Sequence, residues 1–278
     1  MKQLLCALLA LTLAACGSVQ SQDGAAVDHT PTDLRVVTLN IYHDKADWPK
    51  RLPLIVAQLR ALDADVIALQ EVLQFDGLPN QAHAIGDALG YSVQFVSNDP
   101  DEQAHRYGNA LLTRLPVLTQ AWTPLAPHED SRSMGHARLR FDGRPIDVYF
   151  THLHHTAEGS ALRRQQLRDA RTFMARRNDS TPALVMGDFN APASAPELDA
   201  LDGFFDTFGA LHPEADARGV TTLNPHFFDV RRRIDHVFAQ TGRFEAIEAR
   251  IVLDTAGADG TWPSDHFGTF VVLRPMGR

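Results

Sequence analysis

The stretch "HARLRFDGRPIDVYFTHLHH" (136–155) decides the fold. Two runs rich in branched and aromatic residues flank Asp142 and Gly143, and an Asp-Gly pair between such runs is the chemistry of a tight hairpin turn. Antiparallel pairing is therefore expected. Moving outward, "YSVQFVS" (91–97) and "YGNALLTR" (107–114) are further strand candidates, as are "LRVVTLNIY" (34–42), "ADVIALQEV" (64–72), "PALVMG" (182–187), "RRIDHVFAQ" (232–240), "AIEARIVLD" (246–254) and "FGTFVVLRP" (267–275). Several of these follow one another after short turns, whereas a parallel crossover takes about a dozen residues or more. Helical patterns cover 48–62, 81–89 and 158–177. The expected class is α/β, an α/β sandwich of mixed, mostly antiparallel sheets with helices on the outer faces. Continuous apolar runs such as "DVIAL" fit central strands covered on both sides.

The first residues stand apart. "MKQLLCALLALTLAACGS" has a charged start, a short apolar run and small residues before Cys16, which is the pattern of a secretion signal. Its apolar run is shorter than the roughly 20 residues that a spanning helix needs. The "LAAC" box also resembles a bacterial lipoprotein signal, cleaved ahead of a cysteine that then carries lipid; the alternative is an ordinary signal cleaved near Ala15. The expected organisation is a signal peptide over 1–15, a polar tether over 16–33 and one globular domain over 34–278. The expected location is extracytoplasmic, lipid-anchored through Cys16 to a bacterial outer membrane or cell surface.

The 278 residues carry 26 Lys and Arg against 34 Asp and Glu, a formal charge of −8. Such a balance argues against indiscriminate binding to nucleic-acid backbones, which exchanges protein cations for counterions. Cys6 and Cys16 are the only cysteines, so after processing no thiol is left for a disulfide or a metal. Stability must come from the core.

Polar residues recur where apolar strands stop. "PALVMGDFNAPAS" (182–194) ends a buried run in Asp188 and Asn190, Asn40 follows "RVVTL", Glu71 follows "DVIALQ", and His152 follows "DVYFT". Asp235 lies within "RIDHVF", and Asp265 with His266 opens the last strand. Burying such groups is costly unless they are paired or hold a metal. Glu71 and Asn40 offer hard oxygen donors suited to Mg2+ or Mn2+, or else serve as turn residues. Asp188 and Asn190, two apart, face the same way in an extended chain; the carboxylate can take a proton from water while the amide contacts a phosphoryl oxygen. The competing reading of "GDFN" is an Asx turn. Asp235 can fix the tautomer of His266 and favour its imidazolium, or the Asp265–His266 pair lies on the surface. "HLHH" invites zinc, with His152 and His154 on one face and His155 pointing away, but the other candidate ligands are oxygens and the spacing fits no HExxH site.

Taken together, "TLN", "LQEV", "YGNALLTR", "THLHH", "GDFN", "RIDHVF" and "SDHFG" resemble the endonuclease/exonuclease/phosphatase superfamily, in family order over about 34–275. The resemblance implies a four-layered α/β sandwich with two mixed, mostly antiparallel sheets. It implies Glu71 as the principal Mg2+ ligand beside Asn40, with Asp265 close by. Asp188 would activate water, Asn190 contact the phosphate, His266 oriented by Asp235 stabilise the transition state, and His152 donate to a phosphate oxygen.

The chain also departs from some members. "IYHD" after Asn40 lacks the second acid that would support two metals, and neither a duplex-gripping insertion nor a membrane-entering hairpin is evident. Further substrate contacts are sought in Asn109, Arg106, Arg132, His43 and 231–233, while the arginines at 163, 164, 168, 171, 176 and 177 read as a solvated helix face. The expected protein is a monomeric phosphoric ester hydrolase that uses Mg2+, with Mn2+ as the alternative, and direct attack of water. Its substrate is a nucleic acid, a sphingolipid or a phosphoinositide-like ester. The reading from another class is a binding module that has lost catalysis.

Overall fold

The computed structural model describes residues 33–177 and 180–277. The signal peptide, Cys16 and nearly all of the expected tether lie outside them. In chain order the elements are β1 (Leu34–Asn40), α1 (Trp48–Leu62), β2 (Val66–Gln74), α2 (Gln81–Leu89), β3 (Ser92–Ser97), β4 (Arg106–Thr113), β5 (Val117–Pro124), β6 (Ser133–Phe141), β7 (Arg144–His152), α3 (Ser160–Ala175), β8 (Ala183–Asp188), β9 (Phe204–Asp206), α4 (Thr207–Leu211), β10 (Asp235–Gln240), β11 (Phe244–Val252) and β12 (Gly268–Pro275).

They form two six-stranded sheets, ordered β11-β12-β1-β2-β4-β3 and β5-β6-β7-β8-β10-β9. Only β1/β2 and β7/β8 pair in parallel, each crossover containing a helix, α1 or α3. The remaining neighbours run antiparallel. At the β6–β7 turn Asp142 and Gly143 both take positive φ, 45° and 74°, as the expected Asp-Gly hairpin requires.

Alternate residues of the central strands explain the layers. Val36, Ala68, Val148, Phe150, Leu184 and Val237 fill the space between the sheets. Their neighbours Val37, Leu39, Ile67 and Leu69 meet Ile55, Leu59 and Ile85 of α1 and α2. On the far side Tyr149, Val185 and Phe238 meet Leu167, Ala170 and Phe173 of α3. Helix, sheet, sheet and helix make the four layers, and strands buried on both faces account for the unbroken apolar runs.

Both parallel pairs end at the same edge. Asn40 closes β1, His152 closes β7 and Asp188 closes β8, while His152 pairs with Asp188 and Asp188 with Asp235 in register. β1 stops two residues short of the expected Tyr42 because Tyr42 and His43 turn to positive φ. β2 runs on to Gln74, past the expected Val72, through a bulge between Leu69 and Val72.

Candidate active site

At this shared edge lies a cleft of about 830 Å³. Asn40, Glu71, His152, Asp188, Asn190, Asp265, His266 and Arg132 all line it. Asp235 sits directly behind, fully buried.

Each side chain is aimed by a local device. Glu71 occupies the bulge of β2 at φ 58°, a left-handed conformation that turns it into the cleft. Asp188 follows Gly187 at φ 146°, where a β-carbon would stand 2.0 Å from the Thr151 carbonyl, so only glycine lets β8 approach β7 there. Asn190 is not the extended-chain neighbour of Asp188: it takes φ 51°, and its backbone N–H donates to Asp188 Oδ1 at 2.8 Å. The Asx turn is therefore real, and it is what brings the two side chains together.

Asp188 is almost fully buried. Asn40 Nδ2 donates to its Oδ2 at 3.1 Å. Burial, helped by the nearby Asp235 charge, pushes the Asp188 carboxyl up to about 7, against the pull of His266, Asn40 and the Asn190 amide. His266 Nδ1 donates to Asp235 Oδ2 at 2.9 Å and stands 3.9 Å from Asp188 Oδ2. Burial alone would depress the imidazole, but Asp235, then Asp188 and Asp265, raise it to about 10. The ring is an imidazolium at neutral pH. Ligand atoms of Asp188, Asp235 and His266 lie within 4.8 Å of one another and so form a possible cation site. The Nδ1 hydrogen bond already engages Asp235, which favours an acid–base set there.

The oxygen-rich end of the cleft is built by Glu71, Asn40 and Asp265. Burial works to raise Glu71, but the hydrogen bond and charge of His43, whose Nε2 stands 2.8 Å from Oε2, hold it below its usual value. Burial, with the Glu71 charge added, pushes Asp265 up to about 6.

His152 is 2% exposed. Arg132 Nη1 approaches its Nδ1 at 2.8 Å, while Nε2 meets Asn190 Nδ2 at 3.0 Å and Asp188 Oδ2 at 3.4 Å. Burial, with the Arg132 charge, holds this imidazole neutral, far below its usual value. Tyr107 was not singled out from sequence, although "YGNALLTR" contains it. Its hydroxyl lies 3.1 Å from Arg132 Nη1 and 3.3 Å from His152 Nδ1, and its ring stacks on His43 at 5.2 Å.

Other expectations land elsewhere. Asn109 is buried against Ser133 and Arg106 pairs with Asp101; neither lines the cleft. Of residues 231–233 only Arg232 lines it, for Arg233 is 3% exposed and bonded to Asp206 and Asp216. The expected solvated face of α3 excludes Arg163, which is buried on Glu197 and on the carbonyls of His154 and Thr156. The sidedness expected of "HLHH" is reversed. β7 ends at His152, strand alternation lapses, and His155 faces the cleft while His154 turns to Asp130 at 2.9 Å. The His152 and His154 pair that would have served zinc does not face one site, whereas ligand atoms of Asp130, His154 and His155 lie within 4.8 Å of one another.

The profile of the Endonuclease/Exonuclease/phosphatase family matches residues 37–266. Among solved structures, the human Nocturnin catalytic domain with bound sulfate anion is 21% identical, covering 90% of this chain and 97% of its own at a TM-score of 0.72. A mannosyl-6-phosphatase of Bacteroides thetaiotaomicron is 20% identical, covering 86% and 99% at 0.70. The D. rerio TDP2 protein in complex with a single-strand DNA product is 17% identical, covering 87% and 99% at 0.72. No curated protein matches the chain.

Proposed function

We propose, for a chain that belongs to the endonuclease/exonuclease/phosphatase family of phosphoesterases and nucleases, hydrolysis of a phosphate ester by direct attack of water. The observation that carries this reading is the pairing of a buried carboxylate base with an imidazolium in one cleft, Asp188 beside His266 and Asp235.

Asp188 accepts the proton of the attacking water as its oxygen bonds to phosphorus. Its carboxyl, raised to about 7, is suited to a base that works near neutral pH. Asn40 Nδ2 and the Asn190 backbone N–H orient it through its two oxygens, and the neutral His152 stands beside it. The His266 imidazolium, held by Asp235, faces the negative charge that spreads over the phosphoryl oxygens. The ester P–O bond breaks, and solvent protonates the departing oxygen.

The residues also fit a divalent cation. Glu71, Asn40 and Asp265 are oxygen donors lining one cleft, a donor set suited to a hard cation. Mg2+ or Mn2+ held there would polarise a phosphoryl oxygen.

A panel of plasmid DNA, RNA, sphingomyelin, sugar phosphates and inositol phosphates, each with Mg2+ or Mn2+, tests the reading. Turnover that stops with EDTA and is absent from Asp188→Asn supports it; cation binding without turnover on any ester favours the binding module. The structural relatives act on a sugar phosphate in one case and hold DNA in another, so the panel keeps both arms. We further propose that the mature chain is a lipid-anchored, extracytoplasmic monomer that meets nucleic acid only as a substrate. Mass spectrometry finding an unmodified Cys16 would sink the anchor.

A further inference from the structure

Arg51, in α1, is 1% exposed and forms no salt bridge among the described residues. A guanidinium has five N–H groups, and here five backbone carbonyls receive them. Nε donates to Lys45 at 2.8 Å, Nη1 to Ile41 at 2.6 Å and Pro263 at 3.0 Å, and Nη2 to Tyr42 at 3.2 Å and His43 at 2.8 Å. Burying this cation is unfavourable and brings its pKa down to about 10, while Asp265 foremost, and also Asp44 and Glu71, favour its charge.

The five carbonyls belong to two segments that meet at the oxygen-rich end of the cleft. The first, residues 41–45, leaves Asn40 and carries His43, which bonds Glu71. The second leads into Asp265, and Ser264 Oγ closes the seam by donating to the Asn40 carbonyl at 2.6 Å. The first segment cannot hold its shape by local preference. Tyr42, His43, Ala46 and Asp47 all take positive φ, between 47° and 63°, which side-chain-bearing residues avoid unless their surroundings impose it. Arg51 supplies that constraint from beneath.

We propose that Arg51 is a positioning residue of the cation site, fixing the 41–47 loop against residues 263–265 so that Asn40, Glu71 and Asp265 are presented together. This rests on the reading of the cleft given above. Lysine keeps the charge but has only three donors and no plane, so R51K must release at least two of the five carbonyls.

The test is calorimetric titration of Mn2+ into EDTA-stripped protein, with R51K beside wild type. Loss of a residue that orients ligands typically weakens metal affinity about 10- to 100-fold, and R51K is expected to weaken Mn2+ at least tenfold. With Mn2+ saturating, kcat on an aryl phosphodiester should stay within about threefold of wild type, as expected of a group that touches no substrate. R138K, altering a buried ion pair remote from the cleft, controls for general loosening. Equal loss of Mn2+ affinity in R51K and R138K, or unchanged affinity in R51K, overturns the proposal. Should R51K not fold, S264A opens the same seam, removing the bonds to the Asn40 carbonyl and to Asp265 Oδ1, and unchanged Mn2+ affinity there overturns it. A wild-type chain that binds no Mn2+ overturns the reading of the cleft and this inference with it. Wild-type binding that R51K leaves intact overturns this inference alone.

Discussion

Two buried Asp–His pairs, one in each setting the sandwich offers, have nearly the same geometry. His266 Nδ1 meets Asp235 Oδ2 at 2.9 Å, and His136 Nε2 meets Asp147 Oδ1 at 2.8 Å. The third neighbour separates them. Beside His266 it is another carboxylate, Asp188, so negative charge exceeds positive and the ring is driven to the imidazolium. Beside His136 it is Arg138, which grips both Asp147 oxygens at 2.8 Å and supplies the counter-charge itself. Access differs too. His266 lines the cleft, whereas the His136 ring is packed against Tyr149 and Phe173. On the function proposed above, an Asp–His pair is a catalytic device or a structural bolt according to its third partner and its access to the cleft.

The contrast is broken most forcefully at its acidic members. Asp188→Asn should lower kcat on an aryl phosphodiester by about 10³-fold or more, within the range of a general base. Asp147→Asn should stay within about threefold, since it touches nothing in the cleft. Equal losses in the two variants would abolish the distinction. His266→Gln should cost roughly 10²-fold or more in kcat, comparable to losing a preorganised charge partner. His136→Gln should leave kcat within a few-fold of wild type in the same assay.

Stability should show the reverse. Removing one partner of a buried pair typically costs about 3–5 kcal/mol, so His136→Ala should lower the urea midpoint clearly while sparing turnover. A midpoint within error of wild type would show that the far pair is no bolt.

The two pairs should also fail at opposite ends of the pH scale in metal-free protein. His266 is raised from 6.5 to about 10, so the stability it gains from Asp235 is full below about 6.5 and fades as pH climbs through about 10. Burial works against the Asp147 charge, but hydrogen bonds from Arg138 and His136 hold its carboxyl below 3.8. Its contribution is present above about 3.8 and is lost as pH falls through the lower folded value. Urea titrations of Asp235→Asn and Asp147→Asn against wild type should converge with it at high and low pH respectively. The smallest effect belongs to the outer face of α3. Arg168→Ala should change stability by no more than about 0.5 kcal/mol and leave turnover unmoved.

Much of this was legible because strand chemistry is local. "RLRFDGRPIDVYF" names its own turn, and the apolar runs announce strands covered on both faces, so two sheets with outer helices followed. Asn40, Glu71, His152, Asp188 and His266 betrayed themselves as polar residues where such runs stop, and the cleft gathers all five. Asn109 and Arg106, sought as substrate contacts, lie on β4 where one is directed into Ser133 and the other to Asp101. Short features without a periodic signal, β5, β9 and α4, passed unnoticed.

By itself, then, the sequence determined which segments are strands, how they turn and which ends bear reactive groups, since side-chain alternation and turn preference act over a few residues. The tertiary structure alone decided where those groups point and which partners they meet. A bulge rotates Glu71 into the cleft, the end of β7 exchanges the roles of His154 and His155, and Asp235 reaches His266 across 31 residues of chain. Arg51 binds two distant loops through carbonyls that every residue possesses. Backbone carbonyls carry no sequence signature, and the charge state of a buried group depends on neighbours that only the folded chain assembles.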